Sequence, residues 1–351
     1  MPGKLASRLE GKTIDKWLVM EKRIKTADDS SGAFSSCYKV KNIENGRLGF
    51  LKALNYQYAF SAIGRGMTSA DFMHRMTSNY VYERDLLNFC ENERMSRIVT
   101  AVDHGEYMEP GAFYPVPYLV FEIADDSLKN VNVVKNPDLV WKLSAFHGCL
   151  VGLSQLHSKK IAHQDLKPSN ILIFGSNVSK LADLGNATQD GNASPLWNGD
   201  VHCGDSSCAP VELVYGYFSP DWNTRRFGAD LFMAGGIITY LLSGFNFLSL
   251  ILLNLPEDFT PVKFGGTFDE AKPHIKDAYY KALDTISPTI SESIRKDLME
   301  VIAQLCHPIP EQRGNPVGLH RGMPQYSLQR YISIIDRLAK KVRIEKIARA
   351  S

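Results

Sequence analysis

The sequence has almost no excess charge and no C-x-x-C pair of cysteines. It contains 40 Lys and Arg against 38 Asp and Glu over 351 residues, a formal net charge of +2. A chain so nearly neutral has no overall field that attracts nucleic acid or a membrane, so we expect no nucleic-acid partner. The six scattered cysteines, at 37, 90, 149, 203, 208 and 306, are typical of reduced thiols in an intracellular protein.

Long apolar segments are also scarce. Charged residues occur throughout the first 17 positions, which argues against a secretory signal peptide. One uncharged run, Leu231 to Pro256, is long enough to suggest a membrane span of about 20 residues. Because Ser243-Gly244 is a helix-stop signal inside it, we interpret the run as a buried helix and a following segment. We therefore expect a cytoplasmic protein without a transmembrane segment.

The hydrophobic pattern changes near residue 125. Before this point, strand-like runs at 17–20, 37–40, 49–54 and 117–124 occur with one helical stretch at about 70–90. After it, helical periodicity dominates, at 139–156, beyond Asp230 and at 294–306. The polar segment 186–205 is typical of a loop. The pattern predicts a small sheet-plus-helix part followed by a mainly helical part.

Two motifs carry the strongest chemical signal. HQDLKPSN at 163–170 is followed thirteen residues later by DLG at 183–185. In order and spacing they resemble the catalytic loop H-R-D-L-x-x-x-N and the D-F-G motif of eukaryotic-type protein kinases. Phosphoryl transfer needs a carboxylate aimed at the incoming hydroxyl and oxygen ligands for the magnesium ions that bridge the phosphates.

The resemblance implies a role for four of these residues. Asp165 would be the catalytic base, and Lys167 would neutralise charge on the transferred phosphoryl group. Asn170 and Asp183 would bind Mg²⁺. A lysine at 167 also resembles serine/threonine kinases more than tyrosine kinases.

A candidate phosphate-binding lysine lies upstream. GFLK at 49–52 resembles the V-A-I-K strand, whose lysine holds the α- and β-phosphates of ATP. The partner implied for Lys52 is Glu83, because apolar residues follow it at +3, +4 and +7 and place it on the inward face of a helix. Three other acids compete for this role without such a stripe: Asp85, Glu91 and Glu93. The 31-residue separation from Lys52 implies an insertion around 64–73.

The nucleotide-covering loop departs from the family pattern. SSGAFS at 30–35 keeps only the middle glycine of G-x-G-x-x-G, and serine restricts a backbone that glycine leaves free. The resemblance assigns ATP contacts to four residues of this loop: Ser31, Gly32, Ala33 and Phe34. Phe50 is a second departure, since the family usually has a small alanine above the adenine. It is expected to narrow the pocket.

The strand at 117–124 resembles the one that leads to the hinge between kinase lobes. This implies that Phe121 is the gatekeeper and that Glu122 and Ala124 face the adenine through their carbonyl and N–H groups. Four residues match structural positions of the family: His163, Glu212, Asp230 and Arg313. Glu212, in a motif CAPVE that has an extra valine, is expected to pair with Arg313. Asp230 is expected to start the buried helix that anchors the catalytic loop.

Gln164 stands where many kinases have an arginine that binds a phosphate on the activation loop. A neutral amide cannot pair strongly with a phosphate, so we expect activity that does not depend on phosphorylation. This prediction concerns four hydroxyl residues: Thr188, Ser194, Ser206 and Ser207.

The C-terminal stretch from Ser327 is basic and compatible with a helix. Four residues form an apolar stripe at helical spacing: Tyr331, Ile334, Ile335 and Leu338. Two interpretations stay open. The helix packs on its own domain, or its surface binds a partner or an anionic membrane.

The resemblance as a whole implies a bilobal α+β kinase fold. We expect an N-terminal extension at 1–16, an N-lobe at 17–124, a C-lobe at 125–325 and a basic helix or tail at 326–351. The implied function is a serine/threonine protein kinase that binds ATP and Mg²⁺ in the crevice and acts on protein substrates. A pseudokinase that serves as a binding module stays open because of the serine-rich loop and Phe50. A small-molecule kinase is a weaker match, because Lys167, Glu212 and Arg313 belong to the machinery for protein substrates.

Overall fold

The fold contains two compact units. A computed structural model describes residues 2–23, 35–56, 68–112, 114–175, 177–195, 204–315 and 324–350. The first unit, called the sheet unit below, comprises 1–125, 182–185 and 194–196. The second, the helical unit, comprises 126–181, 186–193 and 197–351. The predicted α+β class is confirmed.

The sheet unit is built on one antiparallel sheet. Its strands and its long helix are β1 (Thr13–Ile14), β2 (Trp17–Lys22), β3 (Ser35–Asn42), β4 (Leu48–Leu54), α1 (Ser69–Asn92), β5 (Ala101–Tyr107) and β6 (Val116–Glu122). The spatial order is β1-β2-β3-β4-β6-β5, so β6 lies beside β4. All four predicted strand-like runs lie in these strands, except that β6 ends at Glu122. The sequence pattern did not predict β5, because its residues AVDHGEY are mostly polar and only Ala101 among them is buried.

One face of this sheet forms the core of the unit. Trp17, Tyr38, Leu51 and Val120 are at most 2% exposed. Gly49 allows this packing, because a Cβ there would lie 2.9 Å from Val120 Cγ1 and 3.2 Å from Trp17 Cζ3. Side chains alternate across a strand, so the residues next to Leu51 on β4 point to the other face.

Helix α1 begins with a capping box at Thr68. The Thr68 hydroxyl accepts the Asp71 N–H at 3.1 Å, and the Asp71 carboxylate accepts the Thr68 N–H at 3.3 Å. The buried residues follow the helical period: Met76, Tyr80, Glu83, Leu86, Leu87 and Cys90. Glu83 therefore lies on the inward face of α1, as the apolar residues at +3, +4 and +7 predict.

The helical unit has eight helices among its described residues. They are α2 (Leu128–Asn130), α3 (Leu139–His157), α4 (Val211–Val214), α5 (Trp222–Ser243), α6 (Phe247–Asn254), α7 (Phe268–Ile286), α8 (Glu292–Leu305) and α9 (Gln329–Ala350). Five short strands accompany them: β7 (Asp126–Ser127), β8 (Ile161–Ala162), β9 (Ile171–Phe174), β10 (Val178–Leu181) and β11 (Thr188–Gln189). The strands β10, β9 and β7 form one small sheet, and β8 pairs with β11.

Helix α5 is the central buried helix of this unit. It starts after Asp221, whose carboxylate caps the Thr224 N–H at 2.7 Å, and it ends at Gly244, whose φ is +83°. The predicted stop at Ser243-Gly244 is therefore present. Over the described residues, no single helix is long and apolar enough to span a membrane. Only α5 and α6 taken together, which meet at 83°, pass that test of length and composition.

Helix α9 is packed along its first half and exposed along its second. Tyr331, Ile335 and Leu338 are at most 1% exposed and face α3 and α8, whereas Ile334 is half-buried. Further on, Ile344 and Ile347 are 67% and 63% exposed. The first half of the helix thus packs on its own unit.

Candidate active site

Lys52 is the centre of a charged cluster in the sheet unit. It lies on β4 with its side chain on the face opposite the core. Its Nζ atom is 2.9 Å from Glu83 Oε1, 3.1 Å from Glu83 Oε2 and 3.0 Å from Asp183 Oδ1. Glu83 is only 5% exposed, and a buried carboxylate needs such a cation. The structure therefore brings together three of the predicted site residues.

The two carboxylates keep the Lys52 ammonium charged. Burial alone disfavours this charge, but Asp183 and Glu83 more than offset it and raise the pKa of Lys52 above its ordinary value. Burial raises the pKa of the Glu83 carboxyl, an effect that Lys52 opposes. A fixed positive charge on a rigid strand is what binding of phosphate oxygens requires.

The same sheet face carries the aromatic residues predicted near the adenine. Phe50 on β4 is paired directly with Phe121 on β6, and both are on the Lys52 side of the sheet. Phe121 is 9% exposed, whereas Glu122 and Ala124 are half-buried at the end of β6 and just beyond it. The four predicted loop contacts to ATP, Ser31, Gly32, Ala33 and Phe34, lie outside the described residues.

Asp165, Lys167 and Asn170 form a second cluster, in the helical unit. All three are at most 4% exposed. The Asn170 amide donates to the Asp165 carbonyl at 2.9 Å and to Asp165 Oδ2 at 3.1 Å. Lys167 Nζ lies 3.3 Å from the same Oδ2. The short helical turn Pro168–Asn170 carries Asn170 back to Asp165.

The oxygen atoms available fit magnesium. In the helical unit, Asn170 uses its NH₂ group for Asp165, so its Oδ1 is the atom that can bind a cation. In the sheet unit, Asp183 separately offers a carboxylate. Mg²⁺ prefers such oxygen ligands and usually takes only one or two from the protein, with phosphates and water as the rest. The described part of the chain contains no group of three or more His, Cys, Asp and Glu side chains able to hold a metal.

Asp230 attaches the loop at 163–170 to α5. Its Oδ2 accepts the His163 N–H and its Oδ1 accepts the Gln164 N–H, each at 2.8 Å. His157, at the end of α3, adds a contact of 2.9 Å from Nε2 to Oδ2. The prediction that Asp230 starts the helix is wrong, because α5 begins at Trp222. Asp230 lies in the middle of α5 and is fully buried.

The Gln164 side chain also points at α5. Its Nε2 donates to the Arg226 carbonyl at 2.9 Å and to Asp230 Oδ1 at 3.0 Å, and its Oε1 accepts from Arg226 Nη1 at 3.1 Å. Gln164 is 1% exposed and has a φ of +65°. Left-handed backbone at a residue other than glycine is uncommon and clusters at functional sites.

Glu212 and Arg313 form a buried ion pair with two hydrogen bonds. Arg313 Nη1 lies 2.8 Å from Glu212 Oε1, and Nη2 lies 2.7 Å from Oε2. Arg313 is fully buried and donates further to the carbonyls of Gly228, at 2.9 Å, and His307, at 2.8 Å. This pair joins α4 to the turn after α8.

Three residues of the site were missed by sequence reasoning. His157, Arg226 and Asp205 each contact a motif residue, and Asp205 donates its N–H to Asp165 Oδ1 at 2.9 Å. Only His157 offers a signal, as a polar residue at the end of a helix with many buried apolar residues. The other two lie in positions without a recognisable pattern.

The chain matches the family model described as protein kinase domain over residues 30–318. It is similar to 3-phosphoinositide-dependent protein kinase B of Dictyostelium discoideum, with 31% identity over 48% of this chain and 18% of that protein. Serine/threonine-protein kinase par-4 of Caenorhabditis briggsae is 28% identical over 50% of this chain and 28% of its own length. Inactive serine/threonine-protein kinase PLK5 of Mus musculus is 25% identical over 80% of this chain and 39% of its own length. The matches thus span less than half the length of these curated relatives.

Proposed function

Because the chain belongs to the protein kinase domain family, we propose that it is an active kinase that transfers the γ-phosphoryl group of Mg-ATP to serine or threonine hydroxyls of proteins. One observation carries this proposal: Oδ2 of Asp165 lies 3.3 Å from Lys167 Nζ and 3.1 Å from Asn170 Nδ2. A base, a cation and a metal ligand at a single buried position are the parts that phosphoryl transfer needs.

The helical unit supplies the groups that act on the acceptor. Mg-ATP, when bound, provides the phosphoryl group and the metal charge that polarises it. Asp165 orients the incoming hydroxyl and accepts its proton at a carboxylate oxygen. Lys167 neutralises negative charge on the transferred group, and Asn170 holds Mg²⁺ through Oδ1.

The sheet unit supplies the groups that hold the nucleotide. Lys52 binds the α- and β-phosphates, Glu83 fixes the Lys52 ammonium, and Asp183 binds Mg²⁺. Phe121 is the gatekeeper beside the adenine, and the backbone groups of Glu122 and Ala124 recognise the base. The pair of Phe50 and Phe121 on one sheet face supports a narrow adenine pocket.

The activity is tested with radiolabelled ATP and a generic basic protein. We expect Asp165→Asn to reduce transfer by about 100-fold or more, because the base is lost. Asp190→Asn is the matched control, since Asp190 is exposed and contacts only Lys160, at 3.2 Å, among the ion pairs of the described residues. Equal transfer by the wild type and Asp165→Asn would refute the enzymatic proposal.

We also propose that activation does not require phosphorylation. The Gln164 amide is committed to Arg226 and Asp230 on α5, at 2.9 to 3.1 Å, rather than to an incoming phosphate. We expect the purified protein to keep its activity within about twofold after phosphatase treatment. Loss of activity after this treatment, with recovery on rephosphorylation, would contradict the proposal.

A second candidate function is an inactive kinase fold that serves as a binding module. Two observations favour it: the similarity to a relative named inactive, and Phe50 beside the gatekeeper. This alternative predicts no transfer above the Asp165→Asn background. A thermal shift on addition of Mg-ATP, measured for the wild type and Lys52→Met, tells whether such a module still binds nucleotide.

Protein substrates are supported over small alcohols by Glu212 and Arg313, which resemble the machinery around the activation segment of protein kinases. Phosphorylation of basic proteins is expected, and phosphorylation of small alcohols is not. A preference for small alcohols in the same assay would reverse this assignment.

The exposed half of α9 is proposed as a surface for a partner or an anionic membrane. Ile344 and Ile347 are 67% and 63% exposed in a stretch that contains four basic residues after Lys340: Lys341, Arg343, Lys346 and Arg349. We expect the double variant Ile344→Ser/Ile347→Ser to lose binding to phosphatidylserine vesicles without a change in melting temperature. The control is Leu253→Ser, which alters an exposed aliphatic residue outside α9 and is expected to bind vesicles as the wild type does. Absence of vesicle binding by the wild type would leave the partner protein as the occupant.

A further inference from the structure

Asp205 contacts both charged residues of the proposed catalytic loop. It lies in the loop before α4, and its backbone N–H donates to Asp165 Oδ1 at 2.9 Å. Its own Oδ2 lies 3.5 Å from Lys167 Nζ. Asn170 and Lys167 contact the other oxygen of Asp165, Oδ2. The Asp205 N–H therefore orients the second oxygen of the proposed base.

The Asp205 carboxylate closes a turn of its own chain. Its Oδ1 accepts the Ser207 N–H at 3.0 Å and the Ser207 hydroxyl at 2.7 Å, and its carbonyl accepts the Cys208 N–H at 3.1 Å. An aspartate that bonds the backbone two residues ahead is a recurrent turn-forming arrangement. The turn is anchored on its far side by Asn246, whose amide donates to the Ser207 carbonyl at 2.9 Å.

The distances separate two roles of the carboxylate. The 3.5 Å contact with Lys167 is longer than the 2.7 to 2.9 Å typical of a charge-assisted hydrogen bond. The two bonds to Ser207 are within normal range. Closing the turn is therefore the stronger of its interactions, and the direction of the Asp205 N–H depends on that turn.

We propose that Asp205 is a positioning residue of this kinase, whose carboxylate closes the turn at 205–208 and thereby holds its N–H on Asp165 Oδ1. The inference rests on the proposed function, in which Asp165 is the base. Without this bond, the Asp165 carboxylate loses a contact at Oδ1 that restrains its rotation about the Cβ–Cγ bond. A displacement of about 1 Å in a reacting group can cost a rate factor of about 100.

The test compares Asp205→Ala with Asp205→Asn. Asparagine keeps an oxygen that accepts the Ser207 N–H and hydroxyl, so it preserves the turn while removing the charge, whereas alanine removes both. We expect Asp205→Ala to lower kcat about 10- to 100-fold with KM for ATP changed less than about twofold, because only transition-state alignment is lost. Asp205→Asn is expected to stay within about threefold of the wild type. Asp190→Ala is the matched control, because Asp190 is exposed and, like Asp205, lies between the DLG motif and α4.

Hydrogen exchange gives a readout that needs no activity. Mass spectrometry of the peptide covering 204–209 is expected to show faster exchange in Asp205→Ala than in the wild type or Asp205→Asn, at unchanged melting temperature. The inference is overturned if Asp205→Ala keeps full kcat, if Asp205→Asn falls as far as Asp205→Ala, or if the exchange rates do not differ. Failure of the proposed function looks different, since the wild type would then transfer no more phosphate than Asp165→Ala.

Discussion

Arg313 pairs with Glu212 in the interior of the helical unit, and replacing Arg313 should lower the free energy of unfolding. Arg313→Met keeps much of the side-chain volume but leaves the Glu212 carboxylate, which is 4% exposed, without its cation. Removing one partner of a buried ion pair costs about 3 to 5 kcal/mol, because the remaining charge is not solvated. The carbonyls of Gly228 and His307 lose their donors as well, at 2.9 and 2.8 Å. We therefore expect the upper part of this range.

The change is measurable by thermal unfolding followed by circular dichroism. For a unit of this size, each kcal/mol lowers the melting temperature by about 2 to 4 °C, so a loss of about 8 to 20 °C is expected for about 4 to 5 kcal/mol. Arg337→Met is the matched control. Its ion pair with Asp297 has the same length as one bond of the buried pair, 2.8 Å, but the two side chains are 65% and 44% exposed. Such exposed pairs contribute about 0 to 1 kcal/mol.

A double-variant cycle completes the test of the buried pair. Glu212→Gln combined with Arg313→Met should be less destabilised than the sum of the two single variants, with a coupling above about 1 kcal/mol. The reasoning fails if Arg313→Met costs no more than Arg337→Met, or if the two changes are additive.

Three further predictions follow from single residues. Lys52→Met should reduce phosphoryl transfer by about 100-fold or more, measured with radiolabelled ATP, because a preorganised positive charge is lost; activity near that of the wild type would contradict the assignment. Burial lowers the pKa of His307, so its imidazole binds a proton more readily in the unfolded chain than in the folded one. The free energy of unfolding should therefore fall as the pH drops below about 6.5, by up to about 1.4 kcal/mol per pH unit. Melting temperatures at pH 7.5 and 5.5 should show this decline in the wild type and a smaller one in His307→Asn, and equal slopes would exclude it. Gly235→Ala should lower the free energy of unfolding by about 1 to 3 kcal/mol, because the added Cβ would clash with Cys306 Sγ. Gly236→Ala should be neutral or stabilising by up to about 1 kcal/mol, because the atoms that pack against it lie no nearer than 3.9 Å to the added Cβ. Equal melting temperatures for the two alanine variants would refute the packing argument.

Periodic apolar residues made most elements of the fold predictable. The stripe that follows Glu83 indicated its inward position, and the stop signal at Ser243-Gly244 divided the uncharged run correctly. Strand β5 lacked such a signal, because it is buried at only one residue and pairs along a single edge with β6. Its formation depends on backbone hydrogen bonds, which any sequence can make.

The start of α5 was misplaced because charge was used as the boundary signal. The uncharged run begins after Asp230, but the helix begins after the N-cap residue Asp221, and Arg226 lies within the helix although it is 8% exposed. A buried arginine is an unusual helix residue unless the fold provides acceptors for it. One such acceptor, Gln164 Oε1, lies 62 positions earlier in the chain, so local pattern could not reveal it.

The contact between Gln164 and Arg226 places an arginine beside the residue that replaces the arginine of the family pattern. In many kinases position 164 is positively charged, whereas here a guanidinium on α5 donates to the Gln164 amide at 3.1 Å. Gln164 in turn donates to Asp230, the residue whose two oxygens hold the backbone of the loop. Gln164 thus attaches the loop to α5 through its neutral amide, and the positive charge beside it comes from Arg226 on α5 itself. These contacts fix the loop from within the helical unit, and they are the physical basis for our proposal that activity does not require phosphorylation.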